Sequence, residues 1–295
     1  MWAQTGLTPR EHMIDLPRIG TRLRVQETGD GPPIVLVHGA SNSGTSWAGL
    51  AAAMPQFRCL MIDRPGCGLS ESHGRRFREV ADLTRFSEDL VADVFDALEL
   101  DRAFLLGTSF GGNVVLRGAA ALPDRIEKLV VVGWSVGAPI KYTPFSMRLA
   151  SIPGLGSMMF RLPASKRMVK AILKQVGLRD AFDAGVITDE FVECFRSLLN
   201  DTDTMKNELV QGPPIISPIK GFNGSILLPD DALARIAVPT YFIWGTNDPM
   251  GDEAIATAFT AKVPGSTLEM VPGGHAVWLD DPNRVADAVA AFLQG

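Results

Sequence analysis

A serine held between two glycines, Gly107-Thr108-Ser109-Phe110-Gly111, follows directly on the apolar run Ala103-Phe104-Leu105-Leu106. A serine hydroxyl is a weak nucleophile until a base takes its proton and a carboxylate orients that base. The chain has four histidines. Of these, His275 stands in Pro272-Gly273-Gly274-His275-Ala276, a flexible loop directly after the strand-like run Thr267 to Val271. Asp248 follows the strand-like Thr240-Tyr241-Phe242-Ile243-Trp244 through Gly245-Thr246-Asn247. Open α/β sheets place their sites at the carboxyl ends of strands, and all three residues have that position. The chemistry expected is nucleophilic attack on a carbonyl by Ser109, with His275 as general base and Asp248 orienting it.

The elements that must position these groups follow from pattern. A strand ending in a serine flanked by glycines describes a tight strand-to-helix elbow, where only small neighbours let the chain double back. The following Gly112 to Leu122 reads as a helix stopped at Pro123, so Ser109 sits at a helix N-terminus that favours developing negative charge. Alternating polarity predicts a half-exposed strand over Thr21 to Glu27, and the continuous run Ile34 to Val37 a strand buried on both faces. Further runs at Phe57 to Ile62, Ala103 to Leu106 and Leu129 to Val132, with helical segments between several of them, predict a mostly parallel sheet. The clearest helix spans Leu83 to Leu98, with Leu83, Phe86, Leu90, Val94 and Leu98 inward and Arg85, Glu88, Asp89 and Asp93 outward. The last helix opens with Asp281 as N-cap and Pro282 in its first turn.

The loop Val37-His38-Gly39-Ala40-Ser41-Asn42-Ser43-Gly44 leaves the buried strand beside the site. The backbone N–H of Ala40, paired with that of Phe110, is expected to form an oxyanion hole. His38 is read as bracing this loop and His12 and His73 as surface residues. Between about Ser135 and Asp231 the βα alternation stops and an insertion rich in Pro, Gly and Met takes over. Its stretch Thr188 to Leu199 carries an apolar stripe of Phe191, Cys194, Phe195, Leu198 and Leu199, expected to pack on the domain below.

Composition narrows the partners. Hydrophobic residues make up 46% and charged residues 21% of 295, enough for a large buried core, and a net charge of -5 gives no electrostatic reason to expect nucleic acid. Cys59, Cys67 and Cys194 are odd in number and lack metal-ligand spacing, so they are read as structural in a reducing compartment. The amino terminus lacks the pattern of a secretion signal, and no apolar run has the length of a transmembrane segment. These features predict a cytoplasmic protein acting on a small molecule, with no metal; they do not specify an assembly state.

Five segments jointly carry a resemblance: His38-Gly39, Asp63-Arg64-Pro65-Gly66-Cys67-Gly68-Leu69-Ser70, Gly107 to Gly112, Trp244-Gly245-Thr246-Asn247-Asp248 and Gly274-His275. In kind and order the chain resembles the cap-bearing, esterase-like branch of the α/β-hydrolase family, and the order Ser109, Asp248, His275 is that family's. The resemblance implies an α/β fold with a central eight-stranded, mostly parallel sheet flanked by helices. It also implies a core of residues 1–134 and 232–295, a helical cap of residues 135–231, and no cofactor. The Asp63 to Ser70 segment matches a structural turn and receives no catalytic role.

Departures narrow the subclass. Epoxide hydrolases and haloalkane dehalogenases of the family have an aspartate where Ser109 stands, and the former use cap tyrosines, whereas this insertion has only Tyr142. Carbon–carbon hydrolases of meta-cleavage products keep the serine but commonly carry Gly-Pro-Gly where this chain has Ala40-Ser41-Asn42-Ser43-Gly44. Compact-capped perhydrolase relatives share the triad but have a smaller insertion. The expectation is a carboxylic-ester hydrolase, with a carbon–carbon hydrolase as the alternative and a ligand receptor on the same fold behind it. His38, Trp134, Met158 and Met159 are the candidate pocket residues, joined by Met147 and Phe160 as apolar contributors. Arg148, Arg161, Lys166, Arg167 and Lys170 are read as solvated helix faces.

Overall fold

The computed structural model describes residues 1–143, 145–152, 154–159, 162–211, 215–219 and 221–295, with Phe145, Ser146, Ser157, Met159, Val210 and Gln211 described by their backbone only. In chain order the strands are β1 (Arg10–Leu16), β2 (Thr21–Thr28), β3 (Pro33–Val37), β4 (Arg58–Ile62), β5 (Ala103–Thr108), β6 (Ile126–Ser135), β7 (Ile216–Ser217), β8 (Gly221–Phe222), β9 (Thr240–Gly245) and β10 (Thr267–Val271). Among the described residues, eight of them form one sheet in the order β1-β2-β4-β3-β5-β6-β9-β10, and β7 and β8 form a separate ribbon. Pairing is antiparallel from β1 to β2 and from β2 to β4, and parallel from there across the sheet. This is the expected eight-stranded, mostly parallel architecture.

Side-chain alternation explains why the central strands read as continuous apolar runs. Val35, Val37, Ile62, Leu105 and Val131 belong to one buried cluster with Phe86, Leu90 and Val94 of the helix Val80–Ala97 and Val114 and Val115 of the helix Ser109–Ala121. Ile34, Leu36, Met61, Leu106 and Val132 belong to the other, with Trp47, Trp278 and Val285, Val289 and Leu293 of the helix Pro282–Gln294. A sheet covered on both faces needs apolar residues at every position.

Three sequence expectations change. The helix expected over Leu83 to Leu98 begins at Val80, because Glu79 and Asp82 form a reciprocal capping box. Asp93, expected to face outward, is buried, accepting bonds from the backbone N–H groups of Arg18 and Ile19 and from the Arg18 guanidinium. It thereby anchors the turn after β1. His73, expected at the surface, packs between Phe77 and Phe86 at ring distances of 5.6 and 5.0 Å, and burial lowers its pKa to about 4.

The insertion contributes short helices and the β7–β8 ribbon. Its helix Asp189–Asp201 is capped by Thr188 and buries Phe191 and Val192 in the cluster that also contains Trp47 and Trp278, with Phe195 and Leu199 packed against it, so this part of the stripe packs downward as expected; Leu198 is buried as well. Lys166 pairs with Glu193, Lys170 with Asp189, and Arg148 donates to the carbonyls of Pro218 and Ile219. Arg161 and Phe160 lie outside the described residues. Among the described residues no helix is long and apolar enough to cross a membrane.

Glycines at the elbow are fixed by contact. A Cβ on Gly111 would lie 2.1 Å from the Val37 carbonyl oxygen and 2.6 Å from that of His38, both backbone atoms that cannot swing away. Gly111→Ala is therefore expected to destabilise the protein by about 3 kcal/mol or more, read as a drop in the urea midpoint. On Gly112 the obstacle is the Ser135 side chain, 1.7 Å away at Oγ. Gly112→Ala is expected to be partly rescued by Ser135→Gly, whereas Gly111→Ala is not.

Candidate active site

Ser109 is the first residue of the helix Ser109–Ala121 and lies at φ 53°, a left-handed conformation that costs a non-glycine residue about 1–3 kcal/mol. Its carbonyl accepts from Val136 N at 3.0 Å, and it forms a parallel bridge with Ser135, tying the elbow to the end of β6. Phe110 follows in the first helical turn, where backbone N–H groups have no acceptor within the helix.

Asp248 is buried, and both its oxygens are engaged. Oδ1 accepts from Met250 N at 2.9 Å; Oδ2 accepts from Trp134 N at 3.0 Å and from His275 Nδ1 at 3.0 Å. An ionised carboxylate only accepts, so Nδ1 of His275 carries the proton and Nε2 is the basic nitrogen. Two strand-end loops meet to make this contact: Thr246 N donates to the Val271 carbonyl and Asn247 N to that of Gly273. A Cβ on Gly245 would lie 2.1 Å from the Gly274 carbonyl oxygen, so glycine permits the approach. From the insertion, the Val176 carbonyl accepts from His275 N at 3.2 Å.

The loop after β3 abuts Ser109. A Cβ on Gly39 would stand 2.9 Å from Ser109 Cβ and 3.6 Å from its Oγ. His38 is fully buried; its Nδ1 meets the Gly39 carbonyl at 2.7 Å and its Nε2 accepts from Arg64 N at 2.9 Å. One donating and one accepting nitrogen require a neutral ring, and burial, with the Arg64 charge close by, holds its pKa well below 6.5. Ala40 is exposed.

The structure thus brings Ser109, Gly39 and Phe110 together, and separately bonds His275 to Asp248. Trp134, a candidate for the pocket, is buried; its ring lies 6.2 Å from that of His275 and 5.5 Å from that of Phe222 in β8. Met158 is 59% exposed on the helix Leu155–Met159, and the side chain of Met159 lies outside the described residues. Cys59 and Cys67 are buried and their thiols are pushed up to about 12 by that burial, which leaves them inert. Among the described residues no group of three or more His, Cys, Asp or Glu is placed to hold a metal ion.

Sequence reasoning missed Arg64, Glu208, Val176 and Gly133. Arg64 carried the one available signal, a charge inside an otherwise tight turn. Gly133, at φ 74°, admits the His275 carbonyl oxygen to 2.4 Å of where a Cβ would be.

A family model described as "Alpha/beta hydrolase family" matches residues 34–288. The chain belongs to the alpha/beta hydrolase family. It is 28% identical over 296 residues to the 2-hydroxy-6-oxononadienedioate/2-hydroxy-6-oxononatrienedioate hydrolase of Burkholderia vietnamiensis, covering 95% of this chain and 94% of that one. Its fold is similar to that of the 2-hydroxy-6-oxo-6-phenylhexa-2,4-dienoate hydrolase of a Rhodococcus species, with a TM-score of 0.80 at 18% identity, covering 98% and 100% of the two chains. It is also similar to carboxylesterase CesB of Bacillus subtilis, with a TM-score of 0.72 at 23% identity, covering 99% and 95%. The chain is a hydrolase by family.

The buried neutral histidine has a pH signature. Below 6.5 the unfolded chain takes up a proton on residue 38 that the native state does not, so stability falls as pH drops through the window beneath 6.5. His38→Asn is expected to flatten the stability profile between about pH 6.5 and 5 relative to the native chain, measured by urea unfolding across that range.

Proposed function

We propose that the protein is a serine hydrolase that cleaves carboxylic esters of small to medium, apolar substrates through Ser109, His275 and Asp248. The observation that carries the reading is the bond from His275 Nδ1 to buried Asp248, which leaves Nε2 as the base at the strand ends where Ser109 sits on its elbow. In this mechanism Nε2 takes the Ser109 proton as Oγ attacks the carbonyl carbon. The N–H groups of Ala40 and Phe110 hold the oxyanion, and Asp248 stabilises the imidazolium. The imidazolium returns its proton to the leaving alcohol, giving an acyl-enzyme. Water, deprotonated by His275, then releases the acid and regenerates Ser109.

Residues 135–231 serve as a cap over this site in the proposal, with Trp134 between the cap ribbon and the histidine. The absence of the Gly-Pro-Gly loop supports ester cleavage. One observation favours a second reading, carbon–carbon bond hydrolysis by the same residues: the full-length relative at 28% identity bears that activity in its name. There the serine and oxyanion hole would act on a ketone.

Turnover of p-nitrophenyl esters of graded acyl length, beside that of a vinylogous 1,5-diketone, tests both readings. Ester hydrolysis is expected to exceed diketone cleavage, and Ser109→Ala to lower kcat about 10³-fold or more. Diketone turnover far above that of every ester would move the assignment to the second reading. Equal ester hydrolysis by Ser109→Ala and the native chain would refute the serine mechanism.

A further inference from the structure

The turn from Asp63 to Ser70 is the seat of a helix from the insertion. Thr204, Asn207 and Glu208 share one face of the helix Thr204–Gln211, at spacings of three and four. Thr204 Oγ1 accepts from Gly68 N at 3.0 Å, and Asn207 Nδ2 donates to Cys67 Sγ at 3.4 Å. A Cβ on Gly66, which lies at φ 77°, would stand 2.6 Å from Asn207 Cγ, so the turn is shaped for this approach. Glu208 reaches the loop after β3. Its Oε1 accepts from Arg64 Nη2 at 2.7 Å, from Ser41 N at 3.1 Å and from the Cys67 thiol at 3.6 Å.

Arg64 is fully buried. The same Nη2 donates to the Gly39 carbonyl at 3.1 Å, and the guanidinium lies 4.4 Å from the centroid of the Phe110 ring. The pair therefore grips the loop on both sides of Ala40, Gly39 by its carbonyl and Ser41 by its amide. Ser41 is held at φ 53°, a conformation a serine leaves when nothing enforces it. With the Ser41 amide committed to Glu208, it is not free to serve as a donor for a substrate, and the expected oxyanion donor of this loop stays the Ala40 amide.

We propose that Glu208 is a positioning residue for the oxyanion hole: through Ser41 and Arg64 it fixes the peptide planes flanking Ala40, so a competent hole exists only while the Thr204–Gln211 helix is seated. The proposal rests on the serine-hydrolase reading above. A buried guanidinium deprived of its carboxylate shifts to other acceptors, and Gly39 and Ser41 move with it.

The test compares the full-length native chain with Glu208→Ala, Glu208→Gln and, on the exposed side of the same helix, Lys206→Ala. It uses p-nitrophenyl acetate as substrate and an aryl trifluoromethyl ketone as tetrahedral analogue. Glu208→Ala is expected to lower kcat about 10- to 100-fold with KM within about threefold, and to raise the ketone's Ki by a similar factor. Glu208→Gln keeps an acceptor for Ser41 and is expected to lose less, with Lys206→Ala unchanged. A folded Glu208→Ala with native kcat and Ki, or one changed in KM alone, overturns the proposal. Should Glu208→Ala fail to fold, native kcat and Ki in Glu208→Gln overturn it equally. Ser109→Ala separates the two readings: if it loses activity while Glu208→Ala keeps it, the positioning role alone is wrong. If Ser109→Ala is as active as the native chain, both are wrong.

Discussion

Three consecutive residues at the end of β6 each hold a different part of the site. Ser135 pairs with Ser109 across the sheet, Trp134 N–H donates to Asp248 Oδ2 at 3.0 Å, and Gly133 makes room for the His275 carbonyl. Ser109 comes from the elbow after β5, Asp248 from the loop after β9 and His275 from the loop after β10, so no two share an element. β6 lies between β5 and β9 in the sheet, and its end reaches all three. Its backbone, with the apolar layers on both faces holding it still, supplies the common reference.

That reference matters because the elbow is strained. A serine at φ 53° is stable only where its surroundings over-determine it, and here the constraints are backbone contacts: the Val37 and His38 carbonyls beside Gly111, and the Gly111 carbonyl 2.6 Å from any Cβ on Gly107. Electrostatics adds a second layer. Asp248 spends both oxygens on backbone amides and the imidazole, which fixes the tautomer of His275. On the other flank, neutral His38 and buried Arg64 brace the Gly39 loop from beneath, and Glu208 ties it to the insertion.

The sheet, and the positions of Ser109, Asp248 and His275 at strand ends, were legible because each leaves a local mark. Runs such as Ile34 to Val37 are apolar at successive positions, which only a strand buried on both faces requires, and Ser109, Asp248 and His275 each follow such a run beside glycines. β1 was not legible: it is an edge strand whose polar residues, Arg10, Glu11 and Asp15, dilute the alternation. Asp93 and His73 were misplaced because their partners, the amides after β1 and the rings of Phe77 and Phe86, are set by tertiary packing. The Arg64–Glu208 contact spans 144 positions of sequence and joins two charges that each look ordinary alone. No periodicity encodes such a pair, and the short helices of the insertion gave only weak patterns from which to place it.

In the proposed mechanism the buried Asp248–His275 pair makes Ser109 Oγ the reacting atom. The most direct test is peptide mapping by mass spectrometry after exposure of the folded protein to a fluorophosphonate, run beside His275→Ala. A single phosphonyl adduct on Ser109 is expected, formed at least about 10³-fold more slowly in the variant. An adduct on another residue, or equal labelling of Ser109 without the histidine, would contradict it.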